Sequence, residues 1–228
     1  MLLLAIDTSG KHGSIALARA TARSADSNDL EMIDTAPLLG GTFSAQLIPQ
    51  IADLLRKHQL AKHDIDAFAV ASGPGSFTGL RIGLAAVKAL AEVLGKPIAA
   101  VSLLEVCVVT SGLRGKVMAA LDAGRSEVYV GEYEIPADAG RVAHEYLMTR
   151  NEFLARARGW TVVTPDSVLA EAAGSAGLSV ATLPPISAAA VAGLGWRKIQ
   201  AGNTVTPAQL EANYIRRTDA EILEKSGS

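Results

Sequence analysis

The chain has 228 residues, a formal net charge of −2, and 49% hydrophobic, 19% charged and 4% aromatic residues. This length allows one large domain or two small lobes with a core that needs no disulfide or metal staple, and the composition excludes disorder as the default state. The charge argues against a free-standing nucleic-acid clamp, and with so few aromatics a stacking platform for single-stranded bases would be hard to build, so any contact with nucleic acid is expected to be local or shared with a partner.

Met1–Ile6 is apolar but lacks a basic flank and is too short for a signal peptide. Lys88 and Glu92 interrupt the best candidate for a membrane span. The expectation is a soluble, cytoplasmic, globular protein without membrane contact. Cys107 is the single cysteine, so there is no intramolecular disulfide and no thiolate metal cluster.

In chain order, Leu2–Asp7 predicts a buried strand, and the turn Gly10-Lys11-His12-Gly13 leads to a second strand at Ser14–Ala18. A loop is expected over 20–28 and a third strand over Leu30–Thr35. Ser44–Leu60 carries Leu47, Ile51, Leu54 and Leu55 on one helical face, with Pro49 near the first turn. Ile65–Ala71 is the next strand. Leu80–Leu94 then predicts a helix whose apolar face is Leu80, Leu84, Val87, Ala91 and Leu94, stopped by Gly95 and Pro97. Ile98–Val101 is strand-like, and Ser102 caps a helix to Thr110.

A second round starts at Lys116, with strands over Val117–Leu121 and Glu127–Tyr133 around the turn Asp122-Ala123-Gly124-Arg125. Its pattern repeats Leu2–Ala18, which implies an internal duplication. Helices are expected over Arg150–Ala157, Pro165–Gly174 and Ser187–Ile199, with a strand at Trp160–Thr164 and a polar tail at the end. Strands alternating with helices define an α/β fold.

The loop Ser72–Arg81 joins a strand to a helix, so phosphate binding is the first hypothesis to test. A P-loop needs a lysine after its last glycine, where Leu80-Arg81 stands. A dinucleotide fingerprint needs glycine at Thr78, and a nucleophile elbow needs glycines in place of Pro74 and Thr78 around Ser76. None of the three fits, and a tight strand-to-helix connection remains open. Gly79, Gly83 and Ala86 form a small face that permits close packing, either within the chain or across a subunit interface.

The stretch Ser72-Gly73-Pro74-Gly75-Ser76-Phe77-Thr78-Gly79-Leu80-Arg81-Ile82-Gly83 closely resembles the signature of the bacterial TsaB (YeaZ) family, of the Gcp/TsaD-like (M22 glycoprotease-like) superfamily. Leu4–Ser9, Leu121–Tyr129 and Tyr214-Ile215-Arg216 fit in the same order. The departures are Phe43 for a usual histidine, Ser72 for a frequent glycine, Gly124 for a common arginine and Ala212 for a frequent proline. They bear on local contacts.

The resemblance implies an actin-like ATPase fold (ASKHA, ribonuclease H-like) of two lobes, mixed sheets flanked by helices. The lobes are expected at 1–101 and 102–206, with 207–228 packing back on the first. It implies a non-catalytic partner of the TsaD-like paralogue, which transfers threonylcarbamoyl from its adenylate to the adenosine 3′ of the tRNA anticodon. A TsaE-like ATPase, a homodimer when alone, and tRNA contact only through the complex are implied as well. The interface residues expected are Ser76, Phe77, Leu80, Gly83, Leu84, Val87 and Leu90. Gly73, Pro74, Gly75, Ser76, Phe77, Thr78, Gly79 and Arg81 form the family loop.

Asp7, Thr8, Ser9 and Asp122 resemble a vestigial phosphate site, with no firmly bound cofactor and with ATP or ADP and magnesium placed only at the complex interface. Val162–Asp166 stands where relatives commonly carry an adenosine-pocket glycine. No catalytic or metal-binding residue is expected. His58 and His63 are five apart and do not form the paralogue's His-x-x-x-His pair; His12 and His144 are isolated, and Cys107 has no arranged histidine. The rival readings are an ATP-binding enzyme of the kinase type, resting on Asp7, Thr8 and Asp122, and a peptidase.

Overall fold

Every residue of Leu2–Asp7 is buried, as an apolar run at the centre of a sheet requires. In the computed structural model, which describes residues 1–20, 30–39, 42–135 and 142–215, this run is β1. Of the loop expected over 20–28, Ala20 instead ends a strand and the remainder, like Arg216 and the tail that follows it, lies outside the described residues.

β1 pairs antiparallel with β2 (Gly13–Ala20), and β2 with β3 (Leu30–Leu38). On its other side β1 pairs parallel with β4 (Ala67–Gly73), and β4 with β5 (Ile98–Ser102), giving the order β3-β2-β1-β4-β5. The second sheet comprises β6 (Gly115–Gly124), β7 (Glu127–Ile135), β8 (Val142–Thr149), β9 (Thr161–Thr164) and β10 (Ser179–Thr182), in the order β10-β9-β6-β7-β8. Counted from its own first strand, it repeats the permutation of the first sheet and the same parallel and antiparallel pairings.

The helices fall in matching gaps. α1 (Phe43–Lys57), α2 (Phe77–Leu94) and α3 (Leu103–Ser111) follow the third, fourth and fifth strands of the first sheet, and α4 (Arg150–Arg156), α5 (Ser167–Ser175) and α6 (Ala188–Gln200) those of the second. The duplication expected from the strand pattern is therefore one of topology. β8 and β10 add to the strands expected from sequence.

The described residues divide into one unit within 1–110 and 185–212 and another within 111–184 and 213–215. This corrects the expected boundaries at 101 and 206. α3 belongs to the first unit up to Thr110, and so does α6, because its buried residues Ala188, Val191, Ala192, Leu194 and Gly195 pack on β1, β2, β4 and β5. The first core joins Leu4, Ile6, Leu17, Leu47, Phe68, Leu80 and Val87 with Leu210. Val205 also exchanges backbone hydrogen bonds with Ile98. In the second unit Met118, Val128 and Val130 meet Phe153, Leu169 and Ala173.

Gly195 lies so close to Ala69 that an added methyl group would overlap the alanine side chain, whereas Gly193 on the same helix faces open space. Gly195→Ala is expected to cost about 1–3 kcal/mol through overpacking, while Gly193→Ala gains roughly 0.5–1 kcal/mol of helix propensity. Thermal denaturation of the two variants should show Tm shifts of opposite sign, and equal shifts would contradict this packing.

Candidate protein-interaction site

The glycine loop is seated on the C-terminal end of β1. The Ser76 amide donates to the Ser9 carbonyl at 2.7 Å, and the Thr8 hydroxyl donates to the Gly79 carbonyl at 2.7 Å. A methyl group at Gly75 would stand 2.6 Å from the Ser9 carbonyl oxygen, and at Gly79 and Gly83 it would overlap the Thr8 carbonyl and hydroxyl oxygens. Glycine is required here by close approach of backbones. The loop leaves β4 through Gly73, at φ 130°, and a cis Gly73–Pro74 bond. Ser76 then caps α2 by accepting the Gly79 amide, so the helix starts at Phe77, three residues before the expected Leu80.

This seating decides which face of α2 is covered. Leu80, Gly83, Leu84, Val87 and Ala91 are buried within their own unit, and Leu90 is half-buried against the same core. The assignment of Leu80, Gly83, Leu84 and Val87 to a partner interface is thereby corrected. They are the apolar face that holds α2 on its sheet, and the small face of Gly79 and Gly83 meets the end of a strand at Thr8. Ser76, Phe77, Thr78 and Arg81 of the expected set are exposed. The Arg81 guanidinium stacks 3.7 Å from the Phe77 ring centroid, a cation–π contact at the helix start.

Sequence reasoning missed the residues that continue this exposed face. Ala85, Ala89 and Val93 follow Phe77 and Arg81 at four-residue spacing, and Val93 is 76% exposed. α1 packs beside α2 and exposes Ile48 and Ala52. The signal was present: between Phe77 and Leu94 the only charged residues are Arg81, Lys88 and Glu92, so α2 is apolar well beyond the face its own core needs.

Asp7 is 4% exposed. Burial pushes its carboxyl above the ordinary value, opposed by hydrogen bonds from the Ser9 hydroxyl and amide to Oδ1 at 2.6 and 2.9 Å. These bonds bear on the phosphate hypothesis. The Thr8 hydroxyl, the Ser9 hydroxyl and the Ser9 amide all donate internally, to Gly79 and Asp7, and a phosphate would need those same donors. The turn as built does not fit a phosphate.

Asp122 occupies the corresponding strand end of the second sheet but is exposed, opposite Val128. Phe43, at the departure from the family pattern, starts α1 and packs on Gly13. Cys107 is fully buried and its thiol is pushed up to about 12 by desolvation, which disfavours the thiolate. His58 contacts the Asp34 carboxylate at 2.7 Å and is tied to structure.

Because burial raises the pKa of Asp7 in the folded state, the folded protein favours the protonated acid. Its contribution to stability is complete below the unfolded carboxyl's pKa and is lost as pH rises through the folded value. Asp7→Asn keeps an oxygen for the two Ser9 donors and removes the charge. Its Tm should exceed that of the native chain at neutral pH, with the gap closing as pH falls toward the ordinary carboxylate range; a gap independent of pH would refute the assignment.

A family model described as TsaD, tRNA N6-adenosine threonylcarbamoyltransferase, matches residues 40–190. The tRNA threonylcarbamoyladenosine biosynthesis protein TsaB of Bacillus subtilis is 36% identical over 135 residues, 59% of this chain and 56% of its own length. The Escherichia coli protein of the same description is 33% identical over 137 residues, 59% and 55% of the two chains. The chain thus spans little more than half the length of these curated relatives. A solved structure, YeaZ from Pseudomonas aeruginosa, superimposes with a TM-score of 0.68 at 26% identity, covering 93% of this chain and 100% of that one. Two mixed sheets of repeated topology flanked by helices form an α/β fold of the actin-like, ribonuclease H-like kind. With these matches, the chain belongs to the TsaB (YeaZ) family of the TsaD-like superfamily.

Proposed function

We propose that the chain is a non-catalytic partner subunit in the synthesis of N6-threonylcarbamoyladenosine on tRNA, docking on and activating a TsaD-like paralogue. The observation that carries this reading is the exposed stripe Phe77, Arg81, Ala85, Ala89 and Val93 of α2, beside Ile48 and Ala52 of α1. Small residues four apart form a shallow ridge on which another helix can lie closely. An aromatic ring and an arginine at one end supply side chains of the kind that anchor protein interfaces. In this reading the same face serves a homodimer when the chain is alone.

The non-catalytic role is supported by the inertness of Cys107 and by the internal commitment of the Thr8 and Ser9 donors. A nucleotide with magnesium would then belong to the interface of the complex, with a TsaE-like ATPase as a further component and the cytoplasm as the site of action. Among the described residues no helix is long and apolar enough to cross a membrane.

The reading is tested by reconstituting modification with the paralogue, the ATPase, threonylcarbamoyl-adenylate and tRNA, with and without this chain. Product is expected only in its presence, and equal product without it would overturn the role. Ala89→Glu should weaken association in sedimentation at least tenfold with an unchanged Tm. Leu80→Ala, by contrast, should lose about 2–5 kcal/mol of stability, as core truncations do. An Ala89→Glu variant that associates normally would remove α2 from the interface.

A further inference from the structure

β6 and β9 are adjacent and parallel, with Val117 opposite Thr161. The residues just before those positions therefore emerge side by side at one end of the second sheet: Arg114 and Lys116 from one segment, Arg158 and Trp160 from the other. Lys116 Nζ lies 5.6 Å from the centroid of the Trp160 ring and links the two segments. Gly115 and Gly159, at φ 82° and 83°, provide the left-handed backbone that shapes both approaches.

Trp160 is half-buried against the core of its unit, which fixes the ring, while Arg114, Lys116 and Arg158 are exposed. Among the described residues neither arginine makes an ion pair or a side-chain hydrogen bond. Among the described residues the carboxylate facing the group is Glu134, opposite Lys116 in the β6–β7 register and 3.7 Å from its Nζ, with both side chains more than half exposed. Such a pair holds little energy and is readily exchanged.

We propose that this end of the second unit, Arg114, Lys116 and Arg158 around Trp160, is a contact surface for the phosphate backbone of RNA. The proposal rests on the tRNA-modification reading above. Among the described residues three cations gather against one carboxylate, in a chain whose net charge is −2, so positive charge is concentrated here against the overall balance. Guanidinium groups not engaged elsewhere present the planar fork that matches phosphate oxygens, and the ammonium adds a movable point charge. The ring held beneath Lys116 offers a surface for a base or ribose once the ammonium turns to a phosphate. Contacts of this kind position RNA without reading sequence.

The test titrates a fluorescent anticodon stem-loop RNA by anisotropy, from low to high salt. It uses the native chain and the triple variant Arg114→Gln/Lys116→Gln/Arg158→Gln, each alone and mixed with the TsaD-like paralogue. Each phosphate contact contributes about 0.7–0.9 to the slope of log affinity against log salt. Losing three should flatten the slope by about two to three and weaken binding at low salt tenfold or more. The altered side chains are exposed, and an unchanged Tm confirms the fold. Equal slopes and affinities for native and variant, or no binding by the native chain in either form, overturn the proposal. If modification proceeds without the chain, the functional reading falls; if it requires the chain while the slopes agree, the RNA surface alone falls.

Discussion

Contact of backbone on backbone, between the end of β1 and the start of α2, governs the outer surface of the first unit. Ser76 binds the Ser9 carbonyl, Thr8 binds the Gly79 carbonyl, and the glycines at 75, 79 and 83 remove the side chains that would hold the two segments apart. The helix is thus set in rotation as well as in position. Leu80, Leu84 and Val87 turn inward, and the row from Phe77 to Val93 turns outward. A loop that lacks the residues of a nucleotide motif still requires its glycines, because they bring a helix down onto a strand end.

Much of this was legible in the sequence. The central strands are continuous apolar runs, α1 and α2 carry clear helical periodicity, and the repeated strand–aspartate–turn–strand pattern announced the duplicated topology. β8 and β10 were missed because both are sheet edges: β8 runs His144-Glu145-Tyr146 through its middle, and β10 is only Ser179–Thr182. The buried members of the expected interface, Leu80, Gly83, Leu84 and Val87, were misjudged for another reason. Periodicity identifies an apolar face, but on a helix with two poorly charged faces it cannot say which one the sheet covers. The domain boundary failed because α6 follows the second sheet in sequence and packs on the first in space.

The two halves share a permutation of strands but have diverged where their first hairpins turn. Asp7 is enclosed and braced by Ser9, whereas Asp122 stands in solvent before a turn that places Arg125 and Ser126 at positive φ, where side chains are uncomfortable. The second unit gains polar bracing elsewhere. Glu132 accepts from Arg156 and from the Tyr146 hydroxyl, and the arginine holds its carboxyl below the usual range. Tyr133 and Asn213 both donate to Glu145. Matching strand order has thus been filled with different chemistry in each half.

The place of α6 and Leu210 in the first core has a consequence for the order of synthesis. Residues 1–110 reach the ribosomal exit before the pieces that complete their core, Ala188–Gln200 and the segment through Leu210, have been made. Until then the face of β1, β2, β4 and β5 that α6 covers is exposed on the nascent chain. The second unit is nearly continuous over 111–184 and can close first, although it is translated later. Folding of this protein is therefore expected to run against the usual progression from the N-terminus. With the long sequence separation between β1 and α6, completion of the first unit is expected to come late.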